Sequence, residues 1–370
     1  MSQATRLFTI ALVLWANAAS ACGQGLERRV NAAGDGPVQF HFASRSAVCG
    51  NGRSFLRVED EGGVGSYGSW GGGNDGMQME PCAPGPVRVV LVRAGREIIR
   101  IETYAGPLRA DTTGAHNLGA VTARDAASFL LALAASLDGR PAREAILPAA
   151  LADSAVVTPA LAAIAKDQGR SRETRRSAIS WLTRRRNEPD GLSAASADRA
   201  LDQLVRDRAE NESVRSAALS AVARLDRGDG IQPLMAYAAT PDAWLSRKAF
   251  ASLASAGDPR ARQFLRDALK RPELSEEQRT EAIRGLGNEY GAAADIALIR
   301  GLYPQLNSDR ERDAVISTVV NAGGTENIHW LLGIAKSPTE PMQRRRRVLS
   351  QLGRLDDPRV RDALKDMIEK

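Results

Sequence analysis

Few residues of this 370-residue chain have the types and the spacing of a catalytic, cofactor-binding or metal-binding motif. The string Gly63-x-Gly65-x-x-Gly68 fits the dinucleotide-binding fingerprint, in which a helix follows at once and holds the pyrophosphate at its N-terminus. Here Ser69-Trp70-Gly71-Gly72-Gly73 follows, which is not the start of a helix. A phosphate-binding loop needs a lysine, and the first lysine of the chain is Lys166. We therefore predict no nucleotide cofactor.

Histidines and carboxylates do not cluster in the sequence either. His41, His116 and His329 lie in different regions, and none has a second His or Cys at the spacing of metal ligands. Asp356 and Asp357 stand at an expected turn between helices, where capping explains them better than acid–base chemistry. No Gly-x-Ser-x-Gly motif is present, although a triad assembled from distant residues stays open. The sequence predicts no catalytic, cofactor or metal site, so an enzyme is the less favoured class.

Residues 1–21 have the pattern of a secretory signal peptide. Arg6 supplies the positive start, Leu7–Trp15 the apolar run, and Ala19-Ser20-Ala21 a small-residue cleavage site. The apolar run is too short to span a bilayer, and no later segment is long and apolar enough to be a membrane helix. We expect an exported protein without a membrane span, either periplasmic or extracellular.

The three cysteines fit an oxidising compartment. Cys49 and Cys82 are predicted to form a disulfide, because such a compartment favours pairing. Closing a loop of about 33 residues would stabilise the fold by about 3–4 kcal/mol in the chain-entropy model. Cys22 follows the cleavage site directly, so a lipid anchor there is an alternative to ordinary cleavage. Ala19 stands where lipoprotein signals usually carry Leu, which favours ordinary cleavage.

The charge pattern does not favour nucleic acid as a partner. The net charge is +6, from 50 basic and 44 acidic residues, and the two signs are mixed along the chain. Arg184–Arg186 and Arg344–Arg347 are basic runs within expected helices. Successive helical residues advance by about 100°, so neither run can make one basic face. Export also removes the usual nucleic-acid partner.

A short skeleton recurs along the C-terminal two thirds of the chain. It reads Arg, then Ala-Ile three residues on, then Leu three further, as in Arg175, Ala178-Ile179 and Leu182. The Arg anchors are Arg143, Arg175, Arg215, Arg279, Arg312 and Arg345, and Ser246 holds the same place in a seventh copy. The intervals between anchors are 32, 40, 31, 33, 33 and 33 residues. A fixed period in this range is the signature of a solenoid.

The helical period explains the skeleton. Its apolar positions fall within a narrow arc of a helix, and that stripe needs a neighbouring unit to cover it. Each unit is predicted to be two antiparallel helices, the skeleton helix first and a shorter helix second. We interpret the leading Arg as structural, paired with acids or carbonyls of the adjacent unit, and a ligand contact is the alternative.

These units resemble HEAT-like repeats of the phycobilisome-lyase type. Val214-Arg215 with Ala218-Leu219 and Val222, Arg279 with Ala282-Ile283 and Leu286-Gly287, and Asp357-Pro358 carry the resemblance. It covers about Arg143 to the C-terminus and departs at Ser246 and in the 40-residue interval. The resemblance implies a mainly α protein, a right-handed α-solenoid of about seven helix pairs that binds other macromolecules.

Before the array the pattern is different. Residues 22–36 read as a flexible lead, 37–109 as a small disulfide-bonded β domain, 110–121 as a polar linker and 122–370 as the solenoid, with Thr122 as the first helix cap. The β domain has predicted strands at Val38–Phe42 and Ser54–Val58, a hairpin of Pro86–Arg93 and Glu97–Tyr104, and a mobile glycine-rich loop at Gly62–Gly76.

Trp181 stands where other units carry mostly small residues, and it precedes the longest interval, in which Asn187–Ser193 is inserted. We expect the indole to pack under this insertion, and an exposed binding aromatic is the alternative. The sequence thus favours an exported, non-enzymatic scaffold or adaptor that binds a protein or peptide on the solenoid surface. The alternative is an enzyme or enzyme accessory with its site in the β domain, around His41, and the solenoid as a substrate clamp.

Overall fold

The computed structural model describes residues 25–46, 48–60, 63–68, 82–109, 114–188, 192–225, 228–288 and 293–354, together with 360, 361 and 365. They belong to two compact units, Met1–Asp226 and Arg227–Lys370. The predicted signal peptide, its cleavage site and Cys22 fall outside the described residues, as do Asp356 and the Asp357-Pro358 cap.

The secondary structure is mainly α, with the strands confined to the first unit. The strands are β1 (Val38–Phe42), β2 (Val48–Gly50), β3 (Phe55–Asp60), β4 (Gly63–Gly68), β5 (Ala83–Pro84), β6 (Val87–Ala94), β7 (Glu97–Ala105) and β8 (His116–Ala120). Helix α1 covers residues 25–32. The other helices of the first unit are α2 (Ala123–Ser136), α3 (Gly139–Ala150), α4 (Thr158–Lys166), α5 (Arg172–Arg184), α6 (Ser193–Arg206) and α7 (Glu212–Ala223). Those of the second unit are α8 (Ile231–Ala238), α9 (Ala243–Ser255), α10 (Pro259–Leu269), α11 (Glu276–Leu286), α12 (Ala293–Leu302), α13 (Asp309–Ala322), α14 (Thr325–Lys336) and α15 (Met342–Leu352).

Two four-stranded sheets form the β part. The first has the order β7-β6-β1-β8, in which β8 is parallel to β1 and the other pairs are antiparallel. The second has the order β4-β3-β2-β5 and is antiparallel throughout. The predicted strand β1 and the predicted β6–β7 hairpin are present, and β3 begins one residue later than predicted. The predicted disulfide is confirmed, because Cys49 on β2 is bonded to Cys82 just before β5.

The glycine-rich stretch differs from its prediction as a mobile loop. Residues 63–68 form β4 and pair with β3, from Phe55 opposite Gly68 to Asp60 opposite Gly63. Backbone hydrogen bonds hold such a ladder, so the strand forms although three of its six residues are glycine and only Val64 and Tyr67 are of the types by which a strand is normally recognised. The Gly63-x-Gly65-x-x-Gly68 string therefore lies within a strand, and the rest of Gly62–Gly76 lies outside the described residues.

Three glycines allow the two sheets to approach each other closely. A Cβ atom on Gly50 would overlap the carbonyl oxygens of Ala105 and Phe55, and one on Gly106 would overlap that of Gly50. Gly106 also has a φ of +109°, which residues with a side chain rarely adopt. The third glycine, Gly85, would meet the Gly106 carbonyl in the same way. The close approach of the two sheets thus depends on residues that have no side chain.

The predicted flexible lead, residues 22–36, contains helix α1. Leu26 and Val30 are buried, so this helix has a packed apolar face. Arg93 of β6 is itself buried and donates hydrogen bonds to the carbonyl oxygens of Val30, Gly34 and Gly36. A cation at the end of a helix satisfies carbonyls that have no partner in the helix, which fixes α1 on the sheet.

The predicted linker, residues 110–121, is replaced by a strand. Residues 116–120 form β8 in the first sheet, and the backbone N–H of Val121 donates to the carbonyl of His41 over 2.9 Å. The first sheet then packs directly on α2 and α3. The rings of Phe40 and Phe129 lie edge to face at 6.2 Å, and the Glu144 carboxylate accepts from the backbone N–H of Ile101 over 2.8 Å. The β part and the first helices therefore share one core.

Among the described residues the helices form seven antiparallel pairs, in agreement with the predicted number. They are α2/α3, α4/α5 and α6/α7 in the first unit and α8/α9, α10/α11, α12/α13 and α14/α15 in the second. The order within a pair is the reverse of the prediction in most units, since the skeleton helices α3, α5, α9 and α11 pack more extensively on the helix before them than on the helix after them. In most of these pairs the anchor side chain joins the two helices, as described below.

Capping residues set where several helices begin. The Ser275 hydroxyl and the Gln278 side chain form a reciprocal capping box at the start of α11. Asp258 caps α10, with Pro259 as the first helical residue. Ser308 caps α13, but the Glu311 carboxylate pairs with Arg279 over 3.0 Å, so only one half of a capping box is formed there. An ion pair between neighbouring helices has displaced the reciprocal hydrogen bond.

Candidate functional site

The anchor side chains close the helix pairs from inside. The Nε atoms of Arg175, Arg215 and Arg345 donate to the carbonyl oxygens ten residues earlier, over 2.9, 3.1 and 2.9 Å. Arg279 reaches Leu269 O, Arg312 reaches Leu306 O, and Ser246 reaches Ala238 O with its hydroxyl. These acceptors lie in the last turn of the preceding helix or just after it, where carbonyls lack helical partners. The anchors thus act as side-chain caps of the helix before them.

Arg175 also reaches the next helix pair. Its guanidinium donates two hydrogen bonds to the carboxylate of Glu210. One of them joins Arg175 Nη1 to Glu210 Oε1 over 2.9 Å. Glu210 stands in the turn between α6 and α7. Burial by itself raises the pKa of Glu210, but the hydrogen bonds from Arg175 and the Asn211 backbone lower it below the ordinary value. This side chain therefore connects consecutive pairs, as expected for a structural anchor.

Arg143 does not occupy an anchor position. Its side chain is exposed, whereas the preceding Ala142 is buried, and Ala145, Ile146 and Ala149 continue the buried stripe of α3. Ala142 lies 33 residues before Arg175, so the first interval is 33 residues and not 32. The skeleton fits the sequence in either register, and burial of Ala142 decides between them. Arg143 follows the anchor position by one residue, and its side chain points away from the core.

The exposed faces of α3, α5 and α7 together form a groove of about 750 Å³ on the first unit. We call it the α3–α5–α7 groove. Apart from Ile179, small and hydroxylic residues line most of it: Ser177, Ser180, Ser213, Ser216, Ala217 and Ser220. Four charged side chains complete it: Arg143, Glu173, Arg176 and Arg224. Arg143, Arg176 and Ser216 hold equivalent places, one residue after the anchor position in three successive pairs.

The three arginines of this groove have no intramolecular partner within the described part of the chain. Arg143, Arg176 and Arg224 are exposed, and their guanidinium groups make no hydrogen bond or ion pair there. Glu173 is also exposed and unpaired within the same ranges. The groove thus carries two excess positive charges and five serine hydroxyls, a combination that can bind anionic or polar ligands.

None of the described helices is long and apolar enough to cross a membrane. A family model described as HEAT repeats matches residues 197–287, from within α6 to the end of α11. The chain therefore contains HEAT-like repeats. Comparison with curated proteins finds no match. Among solved structures, human deoxyhypusine hydroxylase in complex with glycerol is similar at 18% identity and a TM-score of 0.25, over 56% of this chain and 88% of that one.

The insertion in the HEAT-like array, which gives the 40-residue interval, supplies a buried carboxylate that the sequence analysis missed. Glu188 is 8% exposed and accepts hydrogen bonds from the Val157 and Thr158 backbone, Arg185 and Ser193. These two backbone N–H groups begin α4, which has no side-chain cap of its own. The lack of a capping side chain before α4 was the one signal in the sequence that another segment must supply an acceptor for these N–H groups.

Trp181 is 3% exposed, so its indole offers no free face to a partner of the HEAT-like repeats. The Arg184 guanidinium lies 5.5 Å from its ring centroid. The placement agrees with packing and differs from the alternative of an exposed binding aromatic. The part of the insertion at residues 189–191 lies outside the described residues.

His41 lies in a polar row across the first sheet. Arg88 pairs with His41 in the strand register, and Tyr104 pairs with Arg88. Arg88 lies over the Tyr104 ring at 4.2 Å and donates to Gln39, while the Tyr104 hydroxyl donates to Glu102 over 2.8 Å. Burial and the bond to Glu102 raise the pKa of Tyr104 to about 12. The polar groups of Gln39, Arg88, Glu102 and Tyr104 are thus bound to one another, which does not favour an enzyme site around His41.

The two basic runs of the HEAT-like array are divided among different contacts. Arg344 pairs with Glu340 and Asp309, Arg345 caps α14, and Arg347 pairs with Asp313. In the other run, Arg185 binds Glu188, and Arg186 makes two bonds to Asp198. Neither run presents a continuous basic face. Within the described ranges, no group of three or more His, Cys, Asp or Glu residues is placed to hold a metal ion.

Proposed function

We propose that this protein is an exported, non-enzymatic scaffold or adaptor, and that it binds a protein or peptide on the surface of its HEAT-like repeats. The observation that carries this proposal is the α3–α5–α7 groove, which crosses three helix pairs. HEAT repeats generally mediate protein interactions, through surfaces that extend over several units. Small side chains along the groove leave room for the backbone of a ligand.

Two further features support export. The signal-like pattern at residues 1–21 would direct the chain out of the cytoplasm, and the Cys49–Cys82 disulfide is compatible with an oxidising compartment. Cys22 would then be the first residue of the mature chain. We favour ordinary cleavage there, with a lipid anchor as the alternative.

Site-specific photocrosslinking in the producing cell tests the proposal. A benzophenone amino acid replaces Ser180 or Ser220 in the groove, and Arg96 in the β6–β7 turn as a matched exposed control. We expect one protein adduct from the groove positions that purified, unlabelled protein competes away, and no such adduct from position 96. Identical adducts at all three positions, or none in the groove, would contradict binding at this surface.

A further inference from the structure

We propose that the α3–α5–α7 groove binds an acidic, extended segment of the partner protein, with its carboxylates on Arg143, Arg176 and Arg224. The proposal rests on the scaffold function proposed above and narrows the class of partner. From the sequence, Arg143 was expected to be a structural anchor, and no role was predicted for Arg176 or Arg224. Their role follows from the structure, because it separates the anchors from the residues beside them.

The contrast between paired and unpaired arginines carries the first step. Neighbouring Arg175 and Arg215 are buried and bound to carbonyl oxygens of their own fold. Arg176 and Arg143 are exposed and unpaired within the described ranges, and Arg224 at the end of α7 is likewise. A guanidinium presents a planar set of donors that matches a carboxylate in a two-fold contact. Three such groups around one groove therefore complement an anionic ligand.

The lining between the arginines fits a peptide backbone. Ser177, Ser180, Ser213, Ser216 and Ser220 supply hydroxyls that donate to or accept from main-chain groups. The described residues that line the groove include no aromatic side chain, so they provide no platform on which nucleic-acid bases could stack. These features favour an acidic peptide over a nucleic acid.

The repeat spacing predicts where the acids of the ligand lie. Arg143 and Arg176 hold equivalent places on adjacent packed helices, and such helices lie about 8–10 Å apart. In the polyproline II conformation, every third residue points the same way and advances by about 9.3 Å. A segment with an acid at every third position would therefore meet both arginines. Three helices span about 20 Å, which corresponds to about six extended residues.

Fluorescence anisotropy with the full protein tests the proposal directly. The probe is a labelled peptide of four Glu-Pro-Ser triplets, and the matched control has Gln in place of every Glu. We expect the Glu peptide to bind at least about tenfold more tightly at low ionic strength, and to weaken as salt screens the exposed charges. Equal affinities, or tighter binding of a twelve-nucleotide single-stranded DNA than of the Glu peptide, would overturn the proposal.

Variants assign the binding to the groove. Arg143→Gln and Arg176→Gln should each weaken the Glu peptide about tenfold, because each removes one charge-assisted contact. Arg96→Gln removes the same charge from the exposed β6–β7 turn and should leave the affinity unchanged. An Arg143→Glu/Arg176→Glu variant should instead bind a peptide of Lys-Pro-Ser triplets, a gain that misfolding cannot produce. Wild-type affinity in the Gln variants would place the binding elsewhere.

The crosslinked partner separates this proposal from the scaffold function. If that partner binds Arg143→Gln/Arg176→Gln/Arg224→Gln as tightly as the wild type, the scaffold function stands and the acidic segment is refuted. If the groove positions give no protein adduct at all while the Glu peptide still binds through the arginines, the groove chemistry stands and the scaffold function is refuted.

Discussion

A shift of one residue decides what an arginine does in this protein. Arg175 and Arg176 are neighbours on α5, yet the first is buried between helix ends and the second faces the groove. The anchor position faces the end of the preceding helix, where unpaired carbonyls balance the cost of burying a guanidinium. One position later, about 100° around the helix, the same side chain is exposed. Sequence similarity alone cannot separate these roles.

Among the buried residues of the insertion, Glu188 should contribute most to the free energy of unfolding. We expect Glu188→Gln to lower the free energy of unfolding by about 3 kcal/mol, because the variant leaves Arg185 buried without its counter-charge and weakens the cap of α4. Urea denaturation followed by circular dichroism measures the change. The control, Glu173→Gln, alters an exposed carboxylate without a partner in the described ranges and should leave the midpoint in place. Equal midpoints for the two variants would contradict this role of Glu188.

The Arg175–Glu210 contact should make stability depend on pH in the acid range. The pKa of Glu210 in the folded protein lies below its ordinary value of 4.5. A carboxyl of this kind contributes stability above its unfolded-state pKa and loses that contribution as the pH falls through the folded-state pKa. We therefore expect the stability difference between the wild type and Glu210→Gln to shrink as the pH falls from about 5 to 3. Urea midpoints at each pH measure it, with exposed Glu97→Gln as the control.

A difference that stays constant over this pH range would show that the wild-type carboxylate does not gain stability by ionising. The control should follow the wild type throughout, since Glu97 has no partner within the described ranges.

At the scale of helices, close approach matters as much as propensity. Gly285 on α11 faces α9, where an added Cβ would overlap Ala254, whereas Gly333 on α14 is exposed with open space around it. We expect Gly285→Ala to destabilise the second unit by about 1–3 kcal/mol through overpacking. Gly333→Ala should stabilise it by about 0.5–1 kcal/mol, because alanine restricts the unfolded chain and favours the helix. Thermal unfolding of both variants measures the opposite signs, and a shift in the same direction for both would contradict the packing argument.

The elements that the sequence predicted are those with a strong period or a side-chain cap. The skeleton helices follow a 3.6-residue apolar stripe, and Thr122 marks the start of α2 by accepting a hydrogen bond from the backbone N–H of Asp125. The elements that it missed depend on backbone or on distant partners. Strand β4 is rich in glycine, and α1 is held by Arg93, more than fifty residues away.

The candidate site was not predictable for a related reason. Exposed Ser and Arg residues on a helix read as a solvated face, and only the packing of α3, α5 and α7, which belong to three successive pairs, brings Arg143, Arg176 and Arg224 around one groove. The register of α3 was ambiguous too, because Ala142 and Arg143 both fit the skeleton until burial separates them. The sequence therefore predicts the repeat and its number of pairs, but not the α3–α5–α7 groove.

At the scale of the whole molecule, the disulfide connects the fold to the compartment. The disulfide between Cys49 and Cys82 joins β2 to the start of β5, both in the second sheet. This is the sheet that approaches the first sheet closely at the glycines described above. This sheet has few large apolar side chains, so the crosslink replaces part of the missing core. Removing it with Cys49→Ser/Cys82→Ser should cost about 3–4 kcal/mol in the first unit, because the unfolded chain regains the freedom of a closed loop of about 33 residues.

Intact mass spectrometry of protein from the exporting cell measures the state of this bond together with the cleavage. We expect a chain that begins at Cys22, without lipid, whose Cys49 and Cys82 take up alkylating reagent only after reduction. Urea denaturation of the same sample with and without reductant should then show the loss in the wild type and none in the Cys49→Ser/Cys82→Ser variant, which serves as the control. A chain that keeps Met1 and has free thiols would contradict export, and the groove would then have to find its acidic partner inside the cell.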